Sequence, residues 1–90
     1  MKSIIDNGDR CHECGAPATE THHCLHGIGR RRLADKDGLT VPLCRRCHET
    51  LHGSSGHEMD RRYQKLGEIF YLQAGHTVED FIKRYGRNYL

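Results

Sequence analysis

The sequence predicts a small α+β domain: two strands and a helix gathered around metal, a four-cysteine zinc ribbon as staple, and one or two further helices at the C-terminal end. Three observations carry that expectation. Leu, Ile, Val and Phe together number only 17 of 90 residues and there is no Trp, so the core is too thin to stand without a staple. The same short chain carries eight His and five Cys. The apolar spacing switches from alternation before residue 53 to steps of three and four beyond it, which is the change from strand to amphipathic helix.

Composition narrows the function classes. Fourteen basic and 12 acidic side chains leave a formal charge of +2. Four zinc-bound thiolates would subtract about four charges and the ion return about two. Overall basicity therefore argues nothing about a nucleic-acid partner. Only local clusters do: Arg30-Arg31-Arg32, Arg45-Arg46, Arg61-Arg62, and Lys83-Arg84 with Arg87. No run approaches the ~20 apolar residues of a membrane helix, so no membrane partner is expected. Met1–Arg10 has only Ile4-Ile5 as an apolar stretch, too little for a secretory signal. An odd Cys count without such a signal speaks against a disulfide framework and for a reducing, cytoplasmic setting.

Each element follows in order. Residues 1–10 are polar and unpatterned and read as a loose arm. The core spans 11–53. Cys11-x-x-Cys14 and Cys44-x-x-Cys47 supply four soft thiolates at a spacing that suits tetrahedral zinc; two redox-active or merely buried thiol pairs are the competing reading. Gly15, directly after the first pair, accepts the positive φ of a metal knuckle. Thr19–Leu25 reads as a strand leaving that knuckle. Gly27-Ile28-Gly29 with the three Arg reads as a flexible basic loop, and Asp35–Gly38 as a turn with the hairpin dipeptide Asp37-Gly38. Leu39, Val41 and Leu43 alternate along a second strand, in which Pro42 demands an edge position. Cys44–Leu51 reads as a second knuckle running into a helix, stopped by Gly53-Ser54-Ser55-Gly56.

Residues 54–90 add helices that pack on this core, so the whole is a single domain. Met59, Tyr63, Leu66, Phe70 and Gln73/Ala74 mark an amphipathic helix over 58–74, with Gly75 as its C-cap. Thr77 and Asp80 form a capping box for a short helix ending at Tyr85, before Gly86. Tyr63, Phe70 and Phe81 read as core.

The remaining histidines carry the chemistry. His48 and His52 are four apart on the predicted helix, so both rings can grip one ion. His22 and His23 are adjacent on the strand and diverge, so one can face that ion while the other stands to its side. A three-nitrogen site with open positions is catalytic in type, and a neighbouring imidazole can serve as general base near neutral pH. Together they are the minimal kit for phosphodiester hydrolysis. Cys24 reads as a small buried side chain, His12, His57 and His76 as surface, and His26 as a residue close to the site and within reach of substrate.

With these residues in view, the chain resembles the HNH endonucleases. Cys11-x-x-Cys14, Glu20-Thr21-His22-His23 and Gly38-Leu39-Thr40-Val41-Pro42-Leu43-Cys44-Arg45-Arg46-Cys47-His48-x-x-x-His52 look like the ββα-metal (HNH) fold stapled by a zinc ribbon. They look most like the small HNH proteins of bacteriophages and prophages. Gly29-Arg30-Arg31-Arg32 and Gly86-Arg87-Asn88-Tyr89-Leu90 are similar to that phage group as well, so the resemblance covers most of the chain. It implies His23 as general base, and His22, His48 and His52 as ligands of a catalytic divalent cation (Mg²⁺, Mn²⁺, Ni²⁺ or Zn²⁺), His52 as in the colicin-type nuclease domains. Cys11, Cys14, Cys44 and Cys47 would hold structural Zn²⁺. It implies an ion that contacts the scissile phosphate and the 3′ oxygen, leaving 5′-phosphate and 3′-hydroxyl ends, in a bacterial host's cytoplasm.

The family's middle Asn, which positions the base His, is replaced here by Leu39. Either a backbone carbonyl near Gly38–Thr40 orients His23, or activity is weak. The leading expectation is an endonuclease acting on double-stranded DNA with little sequence preference, with Arg30, Arg31, Arg32, Arg45 and Arg46 on phosphates. A lone nicking site would need a homodimer to cut both strands. The second expectation is a catalytically idle zinc-ribbon module that binds nucleic acid or a phage protein. The third is a ribonuclease using the same site.

Overall fold

Two four-residue strands, β1 (Glu20–His23) and β2 (Thr40–Leu43), pair antiparallel in the computed structural model, which describes residues 2–90. Glu20 lies opposite Leu43, His22 opposite Val41 and His23 opposite Thr40. Side chains alternate along a strand, so Glu20 and His22 share the face of Val41 and Leu43; His22, Val41 and Leu43 are buried there and Glu20 is half-buried at its end. With two strands both are edges, and Pro42 opposite Thr21 interrupts no interior ladder.

Among the described residues, four helices complete a small α+β fold: α1 (Arg30–Asp37), α2 (Arg45–His52), α3 (His57–Gln73) and α4 (Val78–Tyr85). Helix α1 stands where the sequence suggests a flexible basic loop and a hairpin turn. The hairpin signal at Asp37-Gly38 is a helix end instead. Gly38, at φ 73°, closes α1 through its N–H to the carbonyls of Ala34 and Asp35. A hairpin turn and a helix C-cap both ask for a residue at positive φ, so the dipeptide does not tell them apart. Tertiary contacts do. Ala34 is buried and Leu33 packs against the core, while Asp37 accepts hydrogen bonds from Arg84 Nε at 2.6 Å and Nη2 at 2.9 Å, locking α1 to α4.

The N-terminal arm is tied down rather than loose. Ser3 Oγ donates to the Thr40 carbonyl and the Ile4 N–H to the Gly38 carbonyl at 2.8 Å. The arm lacks helix and strand, as its unpatterned sequence suggests, apart from a bridge between Arg10 and Pro17. Its Met1 lies outside the described residues.

Helices α2 and α3 match the sequence reading within a residue or two at each end. Met59, Tyr63, Leu66 and Phe70 do face the core, joined by Tyr71. Ala74, not Gly75, is the C-cap. Gly67 lets α3 pass close to the chain leaving β1, because any side chain there would collide with Leu25 and Cys24. Helix α4 opens with the Thr77/Asp80 capping box and ends at Gly86. Buried Glu68 accepts the Tyr89 N–H at 2.7 Å and so holds the C-terminal residues on the core. Among the described residues, no helix is long and apolar enough to cross a membrane.

Candidate functional site

The four paired cysteines come together from two places in the chain. Gly15 takes φ 81° and its N–H donates to the Cys11 carbonyl at 2.9 Å, closing the first knuckle. Cys44 is the N-cap of α2, where its sulfur accepts from the Cys47 N–H. Ligand atoms of Cys11, Cys14, Cys44 and Cys47 all lie within 4.8 Å of one another. Cys14 Sγ and Cys44 Sγ are 3.7 Å apart; two sulfurs bound tetrahedrally at about 2.3 Å to one zinc ion would sit about 3.8 Å apart. All four are free thiols. Burial would raise the Cys11 thiol, but backbone hydrogen bonds at Cys44, Cys14 and Glu13 bring it down, while burial and its sulfur neighbours push Cys47 up. Crowded sulfurs competing for one negative charge are what a bound cation relieves. The set is compatible with a structural zinc ion. Cys24 stays apart, fully buried, its thiol pushed up to about 12 by burial and then by Asp60.

The knuckle is pinned to α3. Glu13 accepts from Arg62 Nη2 at 3.0 Å and from the Tyr63 hydroxyl at 2.8 Å. Because Cys44 also starts α2, the same cysteine cluster sets where His48 and His52 lie.

Those two rings meet His22 on the buried face of β1. The nitrogens of His22, His48 and His52 fall within 4.8 Å of one another, and the ring centroids are 4.7 to 5.8 Å apart. His48 Nε2 and His52 Nε2 are 3.1 Å apart, near the ~3.3 Å of two nitrogens sharing a tetrahedral ion at about 2.0–2.1 Å. His22 Nε2 is buried and has no hydrogen-bond partner. A buried ring nitrogen without a partner, beside two other imidazoles, is free to take up a ligand. Burial, then the neighbouring imidazoles, brings the His22 ring down to about 3, and burial also lowers His52. Both shifts favour the neutral ring, the form that coordinates. His48 Nδ1 is 2.6 Å from Glu20 Oε1, a carboxylate–histidine pair of the kind that orients metal ligands.

His23 points away from His22, as adjacent strand residues must, yet both edge one small cavity of about 90 Å³ together with His26, Arg31 and His52. His23 Nε2 lies 3.4 Å from Asp35 Oδ1 on α1. The backbone carbonyls expected to orient this ring are engaged elsewhere. Gly38 O accepts from Ile4 N–H, Leu39 O from Cys24 N–H, and Thr40 O from Ser3 Oγ. Leu39 itself is a fully buried core residue.

The arginines divide. Arg31 lines the cavity and Arg32 and Arg46 are exposed. Arg30 lies over Gly86, and Arg45 faces Glu20 at 3.5 Å and Glu49 at 3.8 Å. Asp35, Asp60 (bonded to His26) and the role of Glu20 were missed by sequence reasoning. Only Glu20 carried a signal, since it precedes His22 by two on a strand and so shares its face. His12 bonds to Asp6 at 2.8 Å and packs edge-on to Tyr63, and His76 stacks on Tyr71; neither joins the three-histidine cluster.

Compared with known proteins, the chain is 36% identical over 61 residues to the uncharacterized protein YdfU of Escherichia coli strain K12. The match takes in 67% of this chain and 18% of that protein, so the chain spans less than a fifth of the length of this relative. No solved structure matches. A family model covers residues 7–72, the cysteine and histidine clusters both included, and by that match the chain belongs to the family described as protein of unknown function, DUF968.

Proposed function

We propose that this chain is a metal-dependent endonuclease of the HNH, ββα-metal type that hydrolyses phosphodiester bonds in double-stranded DNA with little sequence preference. The observation that carries the reading is the convergence of His22, His48 and His52, with His22 Nε2 buried and unpartnered, beside a differently directed imidazole, His23. A divalent cation bound by those three nitrogens (Mg²⁺, Mn²⁺, Ni²⁺ or Zn²⁺) would supply charge neutralisation at the scissile phosphate and the departing 3′ oxygen.

The chain's own part is proton movement and positioning. His23 Nε2–H donates to Asp35, which leaves the Nδ1 lone pair to take a proton from the attacking water. Asp35 thereby does for His23 what the missing Asn at position 39 would do. Arg31 in the cavity, with exposed Arg32 and Arg46, offers sequence-blind phosphate contacts. Zinc on Cys11, Cys14, Cys44 and Cys47 would hold the knuckle against the start of α2, which keeps His48 and His52 on station. The setting that fits is a bacterial host's cytoplasm, with two copies acting to cut both strands.

Supercoiled plasmid incubated with the protein and Mg²⁺, Mn²⁺ or Ni²⁺ tests this directly. Nicking is expected, reduced about 100-fold or more in His23→Ala, the usual range for losing a general base. Undiminished nicking by His23→Ala removes that residue as the base. A second reading, a zinc-ribbon binding module without catalysis, is favoured by Leu39 lying in the core where the family has Asn. Duplex binding without nicking under any ion selects it, and cleavage of RNA but not plasmid selects a ribonuclease.

A further inference from the structure

The histidine cavity contains more chemistry than the proposed reaction uses. Its lining is four imidazoles and one guanidinium, from His22, His23, His26, His52 and Arg31, with no carboxylate among them. Three of these imidazoles have a place in the proposed reaction. His26 does not, and its position is fixed by a contact from far along the chain. The ring is 42% exposed, so it is not there to fill the core, yet it is clamped. Its Nε2 lies 2.9 and 3.1 Å from the two oxygens of Asp60, in the first turn of α3 and 34 residues away in sequence. That contact occupies one ring nitrogen and leaves Nδ1 as the ring's uncommitted polar atom.

We infer that His26, held by Asp60, is a substrate-contacting residue that binds a non-bridging oxygen of the DNA phosphodiester in concert with Arg31. The inference rests on the reading that this cavity receives a DNA phosphate. In the complex the ring donates through both nitrogens, Nε2–H to Asp60 and Nδ1–H to the phosphate, so it binds as imidazolium with the Asp60 carboxylate balancing its charge. No bond is made or broken at His26. The pair gives an acidic residue an unusual part, supporting the capture of an anion through the cation it holds.

That part makes a prediction opposite in sign to simple electrostatics. Removing a negative charge beside a bound polyanion strengthens binding in the generic case. Asp60→Asn retains a side-chain oxygen for the Nε2–H but no longer balances an imidazolium, so it should weaken binding. The test is fluorescence anisotropy of a short labelled duplex at fixed moderate salt without added divalent ion, with plasmid nicking in parallel. His26→Gln, Arg31→Gln and Asp60→Asn should each bind about tenfold more weakly, the scale of one hydrogen bond to a charged group. The His26→Gln/Asp60→Asn double variant should bind no more weakly than His26→Gln alone, because the two act as a unit. The affected side chains are at least partly solvent-exposed, and unchanged zinc content and melting midpoint verify the fold. Unchanged or tighter binding by Asp60→Asn, unchanged binding by His26→Gln, or no duplex binding by the wild-type chain overturns the inference. Wild-type protein that shows the binding pattern but nicks nothing keeps it and removes the nuclease reading. Nicking with wild-type affinity in His26→Gln does the reverse.

Discussion

His48 Nδ1 lies 2.6 Å from Glu20 Oε1, a bond that joins α2 to β1. It commits the ring to donating from Nδ1 and leaves the Nε2 lone pair facing His52 Nε2, 3.1 Å away. The His48 bond, ahead of the other influences, holds the Glu20 carboxyl below the usual carboxylate range. Glu20 is thus the tautomer-setting partner of a candidate metal ligand, and it reaches that place because it sits two residues before His22 on the same strand face.

Glu20→Ala should therefore weaken divalent-ion binding at the histidine site about 10–100-fold, the usual effect of deleting a carboxylate behind a ligating imidazole. The four-cysteine ion should be retained, since Glu20 does not touch that cluster. Calorimetric titration with Mn²⁺ or Ni²⁺ measures the first, and zinc content the second. An unchanged ion affinity would show that the Glu20–His48 bond does not tune ion binding.

Restoring the family's Asn at position 39 should harm rather than help. Leu39 is wholly buried in the core, so Leu39→Asn empties apolar volume and buries an amide, at a cost of about 3 kcal/mol. Urea unfolding should show that loss, and plasmid nicking should not rise. A rise in nicking would mean that residue 39 can reach His23, against the packing described above.

The cysteine cluster should be indispensable to the fold. Loss of Cys47→Ser from the zinc-binding set, or chelation of the wild-type protein, should abolish the cooperative thermal transition, because ion binding supplies folding free energy directly in such small domains. Atomic absorption should find about one tightly held zinc ion per chain in protein purified without added metal. A sharp melt that survives chelation would overturn the zinc assignment.

Acid should destabilise the fold through His22. Its buried ring titrates at about 3 in the folded chain, against 6.5 in the ordinary case. The unfolded chain therefore takes up a proton that the folded chain refuses. The stabilising difference is complete above about pH 6.5 and is lost as pH falls from there toward about 3, by up to about 1.4 kcal/mol per pH unit. His22→Phe cannot bind that proton. With no ion on the histidine cluster, its melting midpoint should gain on the wild type as pH drops from about 7 to about 4.5, while acid release of zinc from the four cysteines affects both proteins alike. A constant gap between the two would refute a neutral His22.

Local rules made much of this protein legible. Cys-x-x-Cys spacing, the four-residue step from His48 to His52, the alternation of Leu39, Val41 and Leu43, and the Thr77/Asp80 capping box each act over a few residues. Their geometry follows from one turn of helix or two steps of strand, and the structure bears each out. Even the burial of His22 follows from its strand neighbours once Val41 and Leu43 are known to face inward.

What stayed hidden depends on residues brought together from afar. Asp37-Gly38 satisfies a hairpin and a helix end equally, and α1 exists because Ala34 and Leu33 find the core and Asp37 finds Arg84. Asp35 comes beside His23, and Asp60 beside His26 from 34 residues away, only because α1 and α3 pack where they do. Spacing along a chain names the groups that one element presents. Which carboxylate ends up behind which imidazole is set by how the elements dock, and docking depends on the fit of the whole core, to which no short stretch of residues gives access.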